Sequence, residues 1–218
     1  TIYGFFHEKG SACKAVAMTW TVPNILTVIR LLAAPAVALV FLILARPYAD
    51  WLALLLFVGA SVTDWVDGYL ARRWNQMSRF GAMLDPIADK AMVVIALFVI
   101  SNLFGMSFWV LVPATAILFR EVFVSGLREY LGDTAGLLKV TRLAKWKTTV
   151  QMLALAVLFA HGLFAQYAGA APDWKTGAAG ISFYGGLGLL WLAAVLTLMT
   201  GWDYFSKALP YLRDEAET

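Results

Sequence analysis

Charge is scarce in this chain. Only 14% of its 218 residues are Asp, Glu, Lys or Arg, whereas about a quarter are charged in an ordinary soluble domain, so a soluble globular fold is excluded. Cysteine is scarcer still: Cys13 stands alone, and a single thiol excludes an intramolecular disulfide framework. There is no internal repeat and no low-complexity tract. The first 23 residues lack a continuous apolar run, because His7, Glu8, Lys9 and Lys14 interrupt them, which speaks against a secretory signal peptide. Residues 1–23 are expected to lie on a membrane surface as an amphipathic segment, or to be flexible.

What the chain has instead is apolar length. It is 61% hydrophobic with a mean hydropathy of +0.73, and stretches of about 20 apolar residues, enough to cross a bilayer, can be marked six times. They run near Ile25–Ala45, Trp51–Leu70, Ala82–Phe104, Phe108–Tyr130, Thr148–Tyr167 and Ala178–Trp202. The expected architecture is an all-α integral membrane protein. A six-helix domain spans residues 24–207, and 208–218 form a polar tail. With six spans, the side holding the N-terminus collects twelve basic residues, among them Arg72, Arg73 and Lys139, against only Arg46 and Lys175 opposite, while Arg30, Lys90 and Arg120 fall inside spans. That asymmetry places both termini in the cytoplasm. It also accounts for the basic residues without nucleic acid, which is not an expected partner. His161 reads as structural, Gly185, Gly186 and Gly188 as a close-packing surface, and Trp174, Trp191 and Trp202 as interfacial anchors or packing.

Against this background four carboxylates stand out. Asp64, Asp67, Gly68, Ala71 and Arg72 fall at i, i+3, i+4, i+7 and i+8, one helical face, and Gly81, Asp85 and Asp89 repeat at i, i+4 and i+8 on another. One Asp at the centre of a membrane helix costs roughly 2.5–3.5 kcal/mol on insertion scales, so four unpaired ones would cost on the order of 10 kcal/mol. Something cationic must compensate. The polar link Arg73–Phe80 is expected to fold the two helices into an antiparallel hairpin that gathers the carboxylates. An oxygen-rich cluster of that kind suits Mg²⁺ or Mn²⁺, hard cations that bridge phosphate oxygens. Gly68 and Gly81 clear side chains from the same face, and Arg72 adds a donor fork for phosphate.

The pattern D-x2-D-G-x2-A-R-x8-G-x3-D-x3-D, matched here at every specified position, resembles the signature of the CDP-alcohol phosphotransferases. The resemblance implies that Asp64, Asp67 and Asp85 bind metal, two ions per site, and that Asp89 is the general base and also touches metal. It implies that Gly68, Ala71, Arg72, Ser78 and Gly81 hold the cytidine diphosphate of the donor. The stretch Thr21-Val-Pro23-Asn24-Ile-Leu-Thr27-Val-Ile-Arg30 reads locally as a helix start. It also resembles the opening of glycerophosphate-type members, where Asn24 and Thr27 would line the nucleotide site. The family resemblance further implies a homodimer, in a bacterial inner membrane with the site facing the cytoplasm.

The acceptor must be read outside the signature. Arg120-Glu121 recurs as Arg128-Glu129, and Lys145 and Lys147 open the next span from the same side. Local ion pairs at a helix end are the simpler reading, but Arg120 lies two turns inside an apolar span and should face the bundle interior. The strings R-E-x3-S-G-L-R-E and K-x-K-T-T-x-Q-M resemble the phosphatidylglycerophosphate synthase branch of the family. This implies CDP-diacylglycerol as donor and sn-glycerol 3-phosphate as acceptor, with Arg120, Arg128, Lys145 and Lys147 on the acceptor phosphate. The alternatives are a sibling that takes inositol phosphate or phosphatidylglycerol, or a transporter with a carboxylate relay.

Overall fold

The computed structural model describes residues 21–74, 79–132, 142–168 and 174–214. Within the helices, the side chains of Asp67, Gly68, Ala71, Arg72 and Lys145 lie outside the description, as does the whole of Ser78. Among the described residues six α-helices follow one another: α1 (Val22–Ile43), α2 (Tyr48–Trp74), α3 (Arg79–Leu103), α4 (Phe108–Leu131), α5 (Arg142–Tyr167) and α6 (Trp174–Asp214).

Local chemistry accounts for their ends. Thr21 caps α1, accepting the Asn24 amide on its hydroxyl at 3.4 Å, with a proline in the first turn. Between α3 and α4 the chain reverses at Gly105 and Met106, both at positive φ, and the Met106 amide closes back on Ser101 O at 2.9 Å. Pro35, Pro86, Pro113 and Pro210 sit inside helices, a placement tolerated where neighbouring helices re-satisfy the freed backbone groups. The last helix runs further than the apolar stretch foresees. α6 continues past Trp202 to Asp214, so residues 208–214 extend it rather than form a separate tail.

The helices assemble as two groups of three. In one, α2 and α3 both pack along α1; in the other, α4 and α5 both pack along α6; the groups join chiefly where α2 meets α5. Residues 75–78 of the link expected to close the hairpin lie outside the described residues. Among the described residues α2 and α3 pack far less on each other than on α1. Phe57, Met92, Leu97, Ile117, Leu155, Phe159 and Leu190 fill the shared core.

The outside is as apolar as the inside. Leu32, Leu42, Leu55, Phe98, Phe119, Val122 and Ile181 all point outward, where a water-facing helix would carry polar residues. Among the described residues four segments, Asn24–Ile43, Phe108–Leu131, Trp146–Tyr167 and Trp174–Leu212, are long and apolar enough to cross a membrane. The chain is an integral membrane protein.

One end of the bundle is a structural lock. Asp50, in the first turn of α2, is buried and paired in bidentate fashion with Arg46 at 2.7 and 2.8 Å. His161 Nδ1 lies 3.0 Å from Ala179 O, and its ring stacks on Phe104 at 5.5 Å, which supports the structural reading of that histidine. Trp191 packs on Trp109 and donates its indole N–H to Trp109 O at 3.0 Å. Of the three glycines marked for packing only Gly186 is pressed, against Leu158; Gly185 and Gly188 have open space beside them.

Candidate active site

Alternation of helix direction brings the start of α1, the end of α2, the start of α3, the end of α4 and the start of α5 to the other end of the bundle. Asn24, Thr27 and Arg30 repeat every three residues on α1, and all three are buried, forming a polar stripe on the helix that α2 and α3 share. From that stripe Thr27 Oγ1 donates to Asp85 Oδ1 at 2.7 Å. Arg30 Nη1 donates to Asp64 Oδ1 at 2.6 Å and to Asp89 Oδ1 at 3.1 Å. Signature carboxylates from two helices thus meet through a guanidinium supplied by a third. Gly81, one turn before Asp85, is buried at the start of α3.

The two aspartates held by Arg30 are unlike it in exposure. Arg30 is 2% exposed, Asp64 46% and Asp89 53%. The cation is sunk in the bundle and the carboxylates face outward, each with its Oδ2 outside these contacts.

A second polar cluster lies on α4 and α5. Glu121 Oε1 accepts from Arg120 Nη1 at 3.3 Å and from Lys147 Nζ, and all three side chains are largely buried. Gly201 of α6 makes room for the Arg120 stem: a Cβ there would stand 2.8 Å from Arg120 Cγ. Arg128 makes a different contact. Its guanidinium lies over the Tyr204 ring, 5.4 Å from the centroid, an arrangement worth about 0.5–1 kcal/mol at exposed sites. Lys145 stands two residues before Lys147 in the first turns of α5, with its side chain outside the description.

These features coincide with a family. Residues 20–199 match the profile of the CDP-alcohol phosphatidyltransferases. The CDP-diacylglycerol–glycerol-3-phosphate 3-phosphatidyltransferase of Cereibacter sphaeroides is 60% identical, over 91% of this chain and the whole length of that protein. The proteins of the same name from Escherichia coli K12 and Shigella flexneri serotype 5b are 39% and 38% identical, again over 91% of this chain and their full lengths. The chain belongs to the CDP-alcohol phosphatidyltransferase family.

The donor set fits the divalent metal that the resemblance implies. It consists of carboxylate oxygens, hard ligands suited to Mg²⁺ or Mn²⁺. Asp64 and Asp89 already converge on a positive charge, that of Arg30. Among the described residues no three carboxylates assemble as a closed metal site, and the side chain of Asp67 lies outside them.

Two residues of this family member escape a reading of the signature alone. The sequence shows Arg30 only as a cation inside a span, and Glu121 only as half of a local ion pair. A buried cation three residues after a buried threonine, on the face of Asn24, is the signal that marks Arg30. For Glu121 the signal is a carboxylate beside Arg120 two turns inside an apolar span, where Glu129 stands near the helix end.

Proposed function

We propose that the chain transfers the phosphatidyl group of CDP-diacylglycerol to sn-glycerol 3-phosphate, giving phosphatidylglycerophosphate and CMP in phospholipid biosynthesis. The observation that carries this reading is full-length identity of 60% to an enzyme bearing the name of that reaction. Two polar clusters at one end of an otherwise apolar bundle suit the same chemistry, one rich in carboxylate and one in cations.

In this reading Asp89 accepts the proton of the glycerol C1 hydroxyl. The oxygen attacks the β-phosphorus of the donor, a new P–O bond forms, and the P–O bond to CMP breaks, so that CMP leaves with the bridging oxygen. Asp64, Asp67, Asp85 and Asp89 would hold two Mg²⁺ or Mn²⁺ ions, which supply charge neutralisation for the pyrophosphate when bound. Arg30 keeps Asp64 and Asp89 at a fixed separation, and Thr27 fixes Asp85. Asn24, Thr27, Gly68, Ala71, Arg72, Ser78 and Gly81 line the CDP-diacylglycerol site. Arg120, Arg128, Lys145 and Lys147 receive the acceptor phosphate, and Glu121 orders two of them beforehand.

The same reading has all six helices crossing the bacterial inner membrane with both termini and the site in the cytoplasm, and a homodimer as the working unit. The basic asymmetry supports the orientation. The deciding experiment incubates purified protein with labelled CDP-diacylglycerol and a panel of acceptors. Phosphatidylglycerophosphate and CMP in equal amounts are expected. Preferential transfer to inositol phosphate, phosphatidylglycerol or free glycerol would overturn the acceptor, and CDP-diacylglycerol left intact with every acceptor would overturn the reaction.

A further inference from the structure

Asp89 belongs to the carboxylate cluster on α3, and the cation cluster belongs to α4 and α5. Although the turn 104–107 joins α3 to α4, these two helices pack against each other far less than either packs on its central helix. A seam therefore runs between them towards the polar end.

The Lys90 side chain crosses that seam. Lys90, directly after Asp89, donates from Nζ to Ser125 Oγ on α4. Ser125 Oγ in turn donates to Glu121 O, one turn earlier, at 2.5 Å. The hydroxyl thus accepts and donates at once, which fixes it as an anchor, and an ammonium has two further N–H donors to give. Arg120 and Lys147 share a carboxylate, whereas the partner of Lys90 among the described residues is a neutral hydroxyl. Lys90 is also exposed, while those two cations are not.

Position gives the charge its use. Successive side chains on a helix diverge by about 100°, so Asp89 and Lys90 hold adjacent faces of α3, one carrying a proton acceptor and the other a cation. An acceptor with a hydroxyl at one end and an anion a few atoms away can engage both. We propose that Lys90 is a specificity-determining residue that binds the phosphomonoester of the acceptor and thereby orients its hydroxyl toward Asp89. This rests on the reading of the chain as a transferase with a phosphorylated acceptor.

The test uses full-length protein in mixed micelles, comparing wild type with Lys90→Met, Lys90→Arg and Ser125→Ala. Steady-state KM values are measured for sn-glycerol 3-phosphate and CDP-diacylglycerol, together with inhibition by inorganic phosphate. Lys90→Met should raise the acceptor KM about tenfold or more, the size of a lost charge-assisted contact. It should weaken phosphate inhibition in parallel and leave the donor KM unchanged. Lys90→Arg should restore most of the loss, and Ser125→Ala should shift the acceptor KM the same way by less. Should Lys90→Met not fold, Lys90→Gln carries the comparison. An unchanged acceptor KM, a fall in kcat alone, or a joint rise in both KM values would overturn the proposal, while a wild type active on glycerol phosphate would leave the transferase reading standing. A wild type that prefers an unphosphorylated alcohol would overturn both.

Discussion

Arg30 Nη1 stands 2.6 Å from Asp64 Oδ1, although 34 residues separate them and the guanidinium is buried where the carboxylate is half exposed. Because the same nitrogen also reaches Asp89, Arg30 offsets the repulsion of two carboxylates carried by different helices. Its replacement leaves two anions facing each other. Arg30→Gln should lower stability by about 1–3 kcal/mol, since the half-exposed partners keep much of their hydration. It should also make stability more dependent on divalent cations: the thermal midpoint should rise with added Mg²⁺ more steeply than in wild type. Equal Mg²⁺ dependence in the two proteins would count against a shared cation site at Asp64 and Asp89.

Asp89→Asn keeps the shape of the side chain and removes the proposed proton acceptor. Turnover should fall to background while CDP-diacylglycerol affinity persists. Asp64→Asn, Asp67→Asn and Asp85→Asn should instead weaken activation by Mg²⁺ or Mn²⁺, and chelation should silence the wild type. Parallel assays of CMP release and donor binding separate the two classes. Near-normal turnover in Asp89→Asn would remove its assignment as the base.

The helices and the carboxylate faces are legible in the sequence because they depend on local spacing. Asp64 and Asp67, or Gly81, Asp85 and Asp89, share a face within two or three turns whatever the rest of the chain does. Arg30 is not legible as the link between Asp64 and Asp89, because its partners lie 34 and 59 residues away and only tertiary packing decides which helix stands beside which. The placement of α1 against both α2 and α3 has the same origin, since a short polar link suggests a hairpin but cannot reveal a third helix in contact with each arm. Arg128 illustrates a further limit. Its spacing from Arg120 matches a shared face, but spacing does not show that its guanidinium also lies over the Tyr204 ring of α6. The extension of α6 beyond Trp202 is hidden by polarity: Asp203 and Lys207 pair at i, i+4 with 2.7 Å between them, continuing a helix that hydropathy alone would stop.

The cation cluster makes a prediction about substrate selectivity. Arg120 and Lys147 converge on the Glu121 carboxylate, so on the proposed reading neutralising either would remove one charge-assisted contact from the acceptor phosphate and leave the donor site alone. Arg120→Gln and Lys147→Gln should each raise the KM for sn-glycerol 3-phosphate by roughly 10- to 100-fold, corresponding to about 1.5–3 kcal/mol. The KM for CDP-diacylglycerol should stay near the wild-type value. Measuring both constants in the same preparations checks the split, and a common rise in the two would place these cations in the donor site instead.

Gly162 tests the far end of the bundle independently of the chemistry. A Cβ at this position would stand 2.6 Å from Asp50 Oδ1 and 3.1 Å from Arg46 Nη2, and Asp50 is too buried and too firmly paired to step aside. Gly162→Ala should therefore destabilise the protein by about 1–3 kcal/mol through overpacking, with activity per folded molecule preserved because the carboxylate cluster lies at the opposite end. Gly185→Ala is the matched control. A methyl group added there would meet nothing within 4 Å, and exchanging Gly for Ala within a helix favours it by up to about 1 kcal/mol. Thermal unfolding of the two variants in the same detergent decides the matter. Similar midpoints for both would mean that the Asp50–Arg46 pair yields readily and does not fix the approach of α5 to α2.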